Sequence, residues 1–96
     1  MKIDALGRLT IPVEIRKQKA IGIKEKMEVK FSYGAIHITK FNEQGYEKRP
    51  YIGLVRELDT LYRITIPREF LLFANIPLKS EVYVILEGDE IIIQKN

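Results

Sequence analysis

The sequence predicts a mainly β protein with short helices, built from two tandem copies of one ββαββ unit. Three observations carry that prediction. The chain repeats itself at an offset of 55 residues. Each copy alternates apolar and polar residues with the period of two that half-buried strands require. Each copy also carries a proline where a short helix should open.

Asp4 to Glu14 sets against Asp59 to Glu69, and the match runs without a gap to Lys40 and Lys95. Thirteen of those thirty-seven pairs are identical, among them Asp4/Asp59, Arg8/Arg63, Pro12/Pro67, Glu14/Glu69 and Ile38/Ile93. Composition alone does not produce such agreement, so the repeat reads as a duplication. The first repeat occupies 1–41 and the second 52–96. Residues 42–51, with Gly45 and Pro50 among mixed charges, read as a linker.

Within the second repeat, Ile52 to Leu58 is expected as a strand, Asp59 to Tyr62 as a turn, and Arg63 to Ile66 as the returning strand. Pro67 then opens a helix, because its fixed φ and missing N–H suit the first helical position. Glu14 and Glu69 fall in the first turns, where a carboxylate complements the helix dipole. The first helix should end near Ile21-Gly22 with glycine as its cap, the second near Ile76-Pro77. A second hairpin follows in each repeat. Met27, Val29 and Phe31 share the inward face, with Ile36 and Ile38 on the return strand beyond Gly34. The second repeat matches them with Val82, Val84 and Leu86, a turn at Gly88-Asp89, then Ile91 and Ile93. Glu28, Lys30, Ser32, His37 and Thr39 should point outward. Four short strands and one helix leave an apolar face uncovered, so the two repeats are expected to close on each other as one barrel-like core. Only Met1–Ile3 precede Asp4, so that core is expected to be frayed or open on one side.

Composition narrows the function. Apolar residues make up 46% and charged residues 30%, which describes a globular chain rather than a disordered one. Cysteine is absent and His37 is the sole histidine, so neither a disulfide framework nor a thiolate or multi-histidine metal site can be built. The start lacks the apolar stretch of a signal peptide, and no apolar run approaches the ~20 residues of a membrane helix. A soluble cytoplasmic protein is expected. Nothing resembles a nucleophile–base pair, a phosphate-cradling glycine loop or a metal-ligand set. An enzyme, a cofactor and a small-molecule substrate are therefore not expected. Glu87, Asp89 and Glu90 cluster at a hairpin tip and read as a solvated turn. Charge is unevenly spread. Residues 1–50 hold eleven Lys/Arg against six Asp/Glu, giving +5, and residues 51–96 hold five against seven, giving −2. A basic half favours a polyanionic partner, although solvated surface charge explains it equally well.

Leu6-Gly7-Arg8-Leu9-Thr10-Ile11-Pro12-Val13-Glu14-Ile15-Arg16-Lys17 resembles the signature of the AbrB family of bacterial transition-state regulators. That signature has a hairpin tip of the form D-x-L-G-R followed by I-P-x-E-[IL]-R-[KR]. Ile21-Gly22-Ile23 and Met27–Lys40 are similar to the rest of that domain. The likeness covers both repeats and is weaker in the second. It implies a swapped-hairpin β-barrel, here an intrachain pseudo-dimer unless two chains exchange hairpins. It also implies a nucleoid-associated regulator that binds double-stranded DNA through basic residues of the first hairpin and helix. On matching positions, the expected DNA contacts are Arg8 and Arg63 at the tips, Arg16 and Lys17 on the first helix, and Arg56 on the first strand of the second repeat. Lys2 is only a near substitute for the first-repeat counterpart of Arg56. The competing expectation for Arg8 and Arg63 is simple pairing with Asp4 and Asp59.

The second repeat departs from this pattern. Leu71, Leu72 and Phe73 replace Arg16, Lys17 and Gln18, Tyr62 replaces Gly7, and Tyr83, Ile85 and Ile92 replace Glu28, Lys30 and His37. Two expectations stand side by side. These apolar residues form an exposed interface that joins two copies in a homodimer, a dimer of pseudo-dimers, or they fill the core. Two further functions compete with regulation. One is a protein-interaction module working through the apolar second repeat. The other is an antitoxin of the MazE type, disfavoured because the sequence stops at Lys95-Asn96, directly after the last strand.

Overall fold

The fold is taken from a computed structural model, which describes residues 1–44 and 53–96. The described residues form β1 (Arg8–Thr10), α1 (Val13–Lys19), β2 (Lys26–Ser32), β3 (Ala35–Lys40), β4 (Leu54–Glu57), β5 (Arg63–Thr65), α2 (Arg68–Phe73), β6 (Val82–Glu87) and β7 (Glu90–Lys95). The protein is thus mainly β with two short helices among the described residues. The expected strand position Ile52 and most of the linker, residues 45–51, lie outside them.

The strands pair as two antiparallel sheets. β1 and β5 make a short ribbon, and the other five strands run in the order β4-β2-β3-β7-β6. The two repeats exchange strands within the chain. β4 of the second repeat pairs with β2 of the first, with Lys26 opposite Glu57 and Val29 opposite Leu54. Lys2 of the first repeat in turn bridges Glu81 of the second. Residues 2 and 81 are the repeat equivalents of 57 and 26, so the second exchange mirrors the first, with one bridge in place of a four-residue strand. Leu9 faces Ile64 and His37 faces Ile92, each opposite its own repeat equivalent. These two pairs mark an approximate two-fold axis through the molecule.

The alternation read from the sequence sets the core. Met27, Val29, Ile36 and Ile38 are buried, as are Val82, Ile91 and Ile93. Phe31, Val84 and Leu86 are partly buried against them. Leu9 and Ile64 close the core from the ribbon side, and Ile3 and Leu58 plug it at equivalent positions. Each such fully buried aliphatic side chain stabilises the fold by about 1.5–3 kcal/mol.

Three local expectations need correction. Pro12 and Pro67 stand one residue earlier than expected, at the N-caps, because their ψ angles of 146° and 134° are extended. The first helix is capped by Ala20 at φ 52°, not by Gly22. The cause is Ile21, which turns back to donate its N–H to the Arg16 carbonyl at 2.9 Å and buries its side chain. A left-handed alanine is strained by roughly 1–2 kcal/mol. Ala20→Gly is accordingly expected to raise stability by about 0.5–1 kcal/mol, read from the urea midpoint; an unchanged or lower midpoint would show that the cap is not strained.

The third correction is Glu28, read as an outward polar residue. It is only 1% exposed, and its carboxylate accepts the Gly53 N–H at 2.8 Å. The backbone entering β4 lies directly on β2 here. A Cβ built on Gly53 would stand 2.6 Å from both the Val29 carbonyl oxygen and Lys30 Cγ.

Candidate nucleic-acid interface

Leu9 and Ile64 point inward from the β1–β5 ribbon, so strand alternation turns Arg8, Thr10, Arg63 and Thr65 to its outer face. Arg8 lies opposite Thr65 and Thr10 opposite Arg63. The two arginines are therefore diagonal neighbours, with a separation on the order of 7–8 Å at the backbone.

Each arginine is fixed by its own aspartate. Asp4 Oδ1 accepts the N–H groups of Leu6 at 3.0 Å and Arg8 at 2.7 Å, and its Oδ2 accepts Arg8 Nε at 2.7 Å. Asp59 repeats this with Leu61 at 2.8 Å, Arg63 at 2.9 Å and Arg63 Nε at 2.7 Å. The expected ion pairs thus exist. They occupy only Nε, and among the described residues the two terminal nitrogens of each guanidinium have no partner. An arginine held at Nε presents a fixed pair of N–H donors, the geometry that suits phosphate or a guanine edge. The adjoining carboxylates cancel much of the net charge, so this face would act by directed hydrogen bonds more than by bulk potential.

The backbone N–H of Arg8, and then its guanidinium, holds the Asp4 carboxyl below its ordinary value of 3.8; Arg63 does the same to Asp59. A lowered native pKa contributes stability that is fully present above the ordinary value and lost as pH falls through the lowered one. Wild type should therefore out-melt Asp4→Asn/Asp59→Asn by a constant margin near neutrality, and the margin should shrink below pH 3.8. A margin that stays constant to the end of the acid range would contradict this account of the tips.

The helices flank the ribbon crosswise. The helix of one repeat stands beside the tip of the other. Arg16 of α1 stacks its guanidinium on the Tyr62 ring at 3.8 Å from the centroid. Gly7, the equivalent of Tyr62, lies against Leu71 of α2, which would be 3.4 Å from an added Cβ. The sequence grouped Arg16 with Arg8 because both belong to the first signature. The structure instead joins Arg16 and Lys17 to the Arg63 tip, and sets Leu71 beside the Arg8 tip. Tyr62 takes φ 60°, a strained value for a residue with a Cβ. The cation–π contact with Arg16, of about 0.5–2 kcal/mol, offsets that strain. Arg16 is thereby half-buried, and its Nε is buried without a partner among the described residues. Lys17 is exposed.

Lys2 and Arg56 do not join the ribbon face. Arg56 lies on β4 at one edge of the five-stranded sheet, and one of its terminal nitrogens donates to its own neighbour's carbonyl, that of Val55, at 3.0 Å. Lys2 is exposed at the opposite edge, beside the start of β6.

The apolar residues of the second repeat separate into three groups. Leu71 is 3% exposed and belongs to the core, since it fills the space that Gly7 leaves open. Ile92 is 7% exposed, in the middle of the sheet between His37 and Ile85. Both are withdrawn from the expected interface. Leu72 and Phe73 remain exposed on α2, and Phe73 rests against Phe31 of β2 at 5.5 Å between centroids. Tyr83 and Ile85 are exposed on β6, three strands away from β2. The expected single patch is thus two surfaces.

His37, expected in solvent, sits between Glu90 Oε2 and the Ser32 carbonyl, 3.3 Å from each. Asp89 pairs with Lys19 at 3.1 Å. The acidic tip is thus solvated as expected, with Asp89 94% exposed, and touches the first repeat at Lys19 and His37. Among the described residues there is no cluster of His, Asp or Glu fit for a metal ion, and no helix long and apolar enough to cross a membrane.

Fold and site together define a mainly β two-repeat chain with a two-fold pair of aspartate-fixed arginines on an exposed ribbon. Compared with known proteins, the chain matches no family model and no curated protein.

Proposed function

We propose that the chain is a double-stranded DNA-binding transcriptional regulator of the AbrB type, a cytoplasmic, nucleoid-associated protein whose two repeats form one swapped-hairpin barrel. The observation that carries this reading is the β1–β5 ribbon, where Arg8 and Arg63 stand in two-fold relation with terminal N–H groups that have no partner among the described residues. A two-stranded ribbon has dimensions a major groove admits, and a two-fold protein surface suits the two-fold symmetry of a duplex. Arg16 and Lys17 beside the Arg63 tip, with the excess positive charge of the first fifty residues, would supply backbone attraction. The reciprocal strand exchange favours the swapped-hairpin reading of the two sheets.

Fluorescence anisotropy with a mixed and an A·T-rich duplex across a salt series tests the reading. Log affinity should fall linearly with log salt, by about 0.9 per phosphate contact. Failure to bind either duplex at low salt would remove DNA binding.

The second reading is a protein-interaction module, favoured by one observation. Leu72 and Phe73 are 71% and 61% exposed where the first repeat has Lys17 and Gln18. A homodimer formed through the second repeat belongs with this reading, and a monomeric mass at micromolar concentration would remove it.

A further inference from the structure

We propose that the two repeats recognise each other by charge, so that the first repeat accepts only a second repeat as its partner. The mirrored strand exchange supplies the argument. At its two equivalent positions, Lys2 lies across from Glu81 and Lys26 across from Glu57. Both lysines belong to the first repeat and both glutamates to the second. A first repeat paired with another first repeat would set Lys2 against Lys26 twice. Two second repeats would set Glu57 against Glu81 twice. Like charges directly opposite on neighbouring strands repel, and opposite charges attract.

Two further side-chain pairs between the repeats run the same way. Lys19 meets Asp89, and His37 meets Glu90. In each, the basic member comes from the first repeat and the acidic member from the second. Their repeat equivalents are Ala74 and Gly34, Ile92 and Ala35, so no like-with-like pairing reproduces either bond.

Side-chain shape carries the same code independently. Across the repeat boundary Gly7 receives Leu71, and Tyr62 receives Arg16. Two second repeats would force Tyr62 onto Leu71. Two first repeats would leave Gly7 facing Arg16, with a hole where Leu71 packs. These departures of the second repeat from the first are thus matched in pairs across the boundary. The surface that results disfavours the symmetric exchange of like repeats between two copies.

The test is a rescue experiment in the full chain at low salt, where exposed charges are least screened. Lys26→Glu should lower the melting temperature by about 2–6 °C. Adding Glu57→Lys should restore it, because that residue lies opposite. Adding Glu81→Lys should not, although it changes net charge by the same amount. Lys2→Glu should show the converse, rescued by Glu81→Lys and not by Glu57→Lys. If a single reversal fails to fold, the comparison of the two double variants still decides, since only the facing pair should regain a cooperative transition. Equal rescue by either partner would reduce the effect to net charge and overturn the proposal. So would single reversals that melt like wild type, or double variants of which neither recovers.

Discussion

Arg63→Ala/Lys17→Ala is expected to weaken duplex binding at least about tenfold at low salt and to reduce the salt slope by about two units. Both residues belong to one end of the ribbon, where α1 of the first repeat flanks the tip of the second. Arg63 is held at Nε by Asp59 and presents its remaining donors without a rearrangement. Lys17 is exposed and adds a point charge nearby. Arg8→Ala is expected to cost less, with a slope change of about one unit, because Leu71 adjoins its tip where the other end has Arg16 and Lys17. Arg16→Ala is expected to act in a different way, by taking the partner from Tyr62 and lowering stability along with affinity. Anisotropy for binding and thermal melting for folding separate the two effects. If Arg8→Ala costs more than the Arg63/Lys17 double variant, the crosswise arrangement is not the DNA face.

Gly53→Ala is expected to destabilise the fold by about 2–4 kcal/mol, the largest steric effect among the described glycines. The added carbon would lie 2.6 Å from the Val29 carbonyl oxygen, which is ladder backbone and cannot swing aside. Moving β4 away to make room would also stretch the bond from the Gly53 N–H to the buried Glu28 carboxylate. β4 is the strand by which the second repeat grips the first, so the damage falls on the pairing of the two halves. Gly22→Ala is the control. Nothing lies within 4 Å of a Cβ there, and no loss is expected. Urea unfolding reads both. A Gly53→Ala protein as stable as wild type would mean that β4 does not sit on β2 as described.

Much of the fold was legible because two short-range patterns dictate it. Alternation at Met27–Phe31 and Ile36–Ile38, repeated 55 residues later, settles which strand faces are buried. The Asp–x–x–x–Arg tips were legible because an aspartate that satisfies its own turn needs only neighbours in sequence. What was not legible is which repeat each residue meets. Arg16 was grouped with Arg8 by sequence, yet strand exchange carries it to Tyr62. The hint lay in the alignment itself: glycine became tyrosine at one position and arginine became leucine at another, a complementary pair. Leu71 and Ile92 looked like surface replacements because their first-repeat equivalents are Arg16 and His37. Those equivalents prove half-buried themselves, so the positions were never open surface. Alternation puts Glu28 outward because it reports the face of a strand and says nothing of a backbone that crosses it.

The most direct test of DNA binding at the ribbon is an amide chemical-shift titration of the labelled protein with a short duplex. Perturbations are expected at Leu6–Thr10 and Leu61–Thr65, extending to Lys17 on one side only. Perturbations confined to Leu72, Phe73, Tyr83 and Ile85, or none at a duplex excess, would contradict it and leave the second repeat as a surface for protein partners.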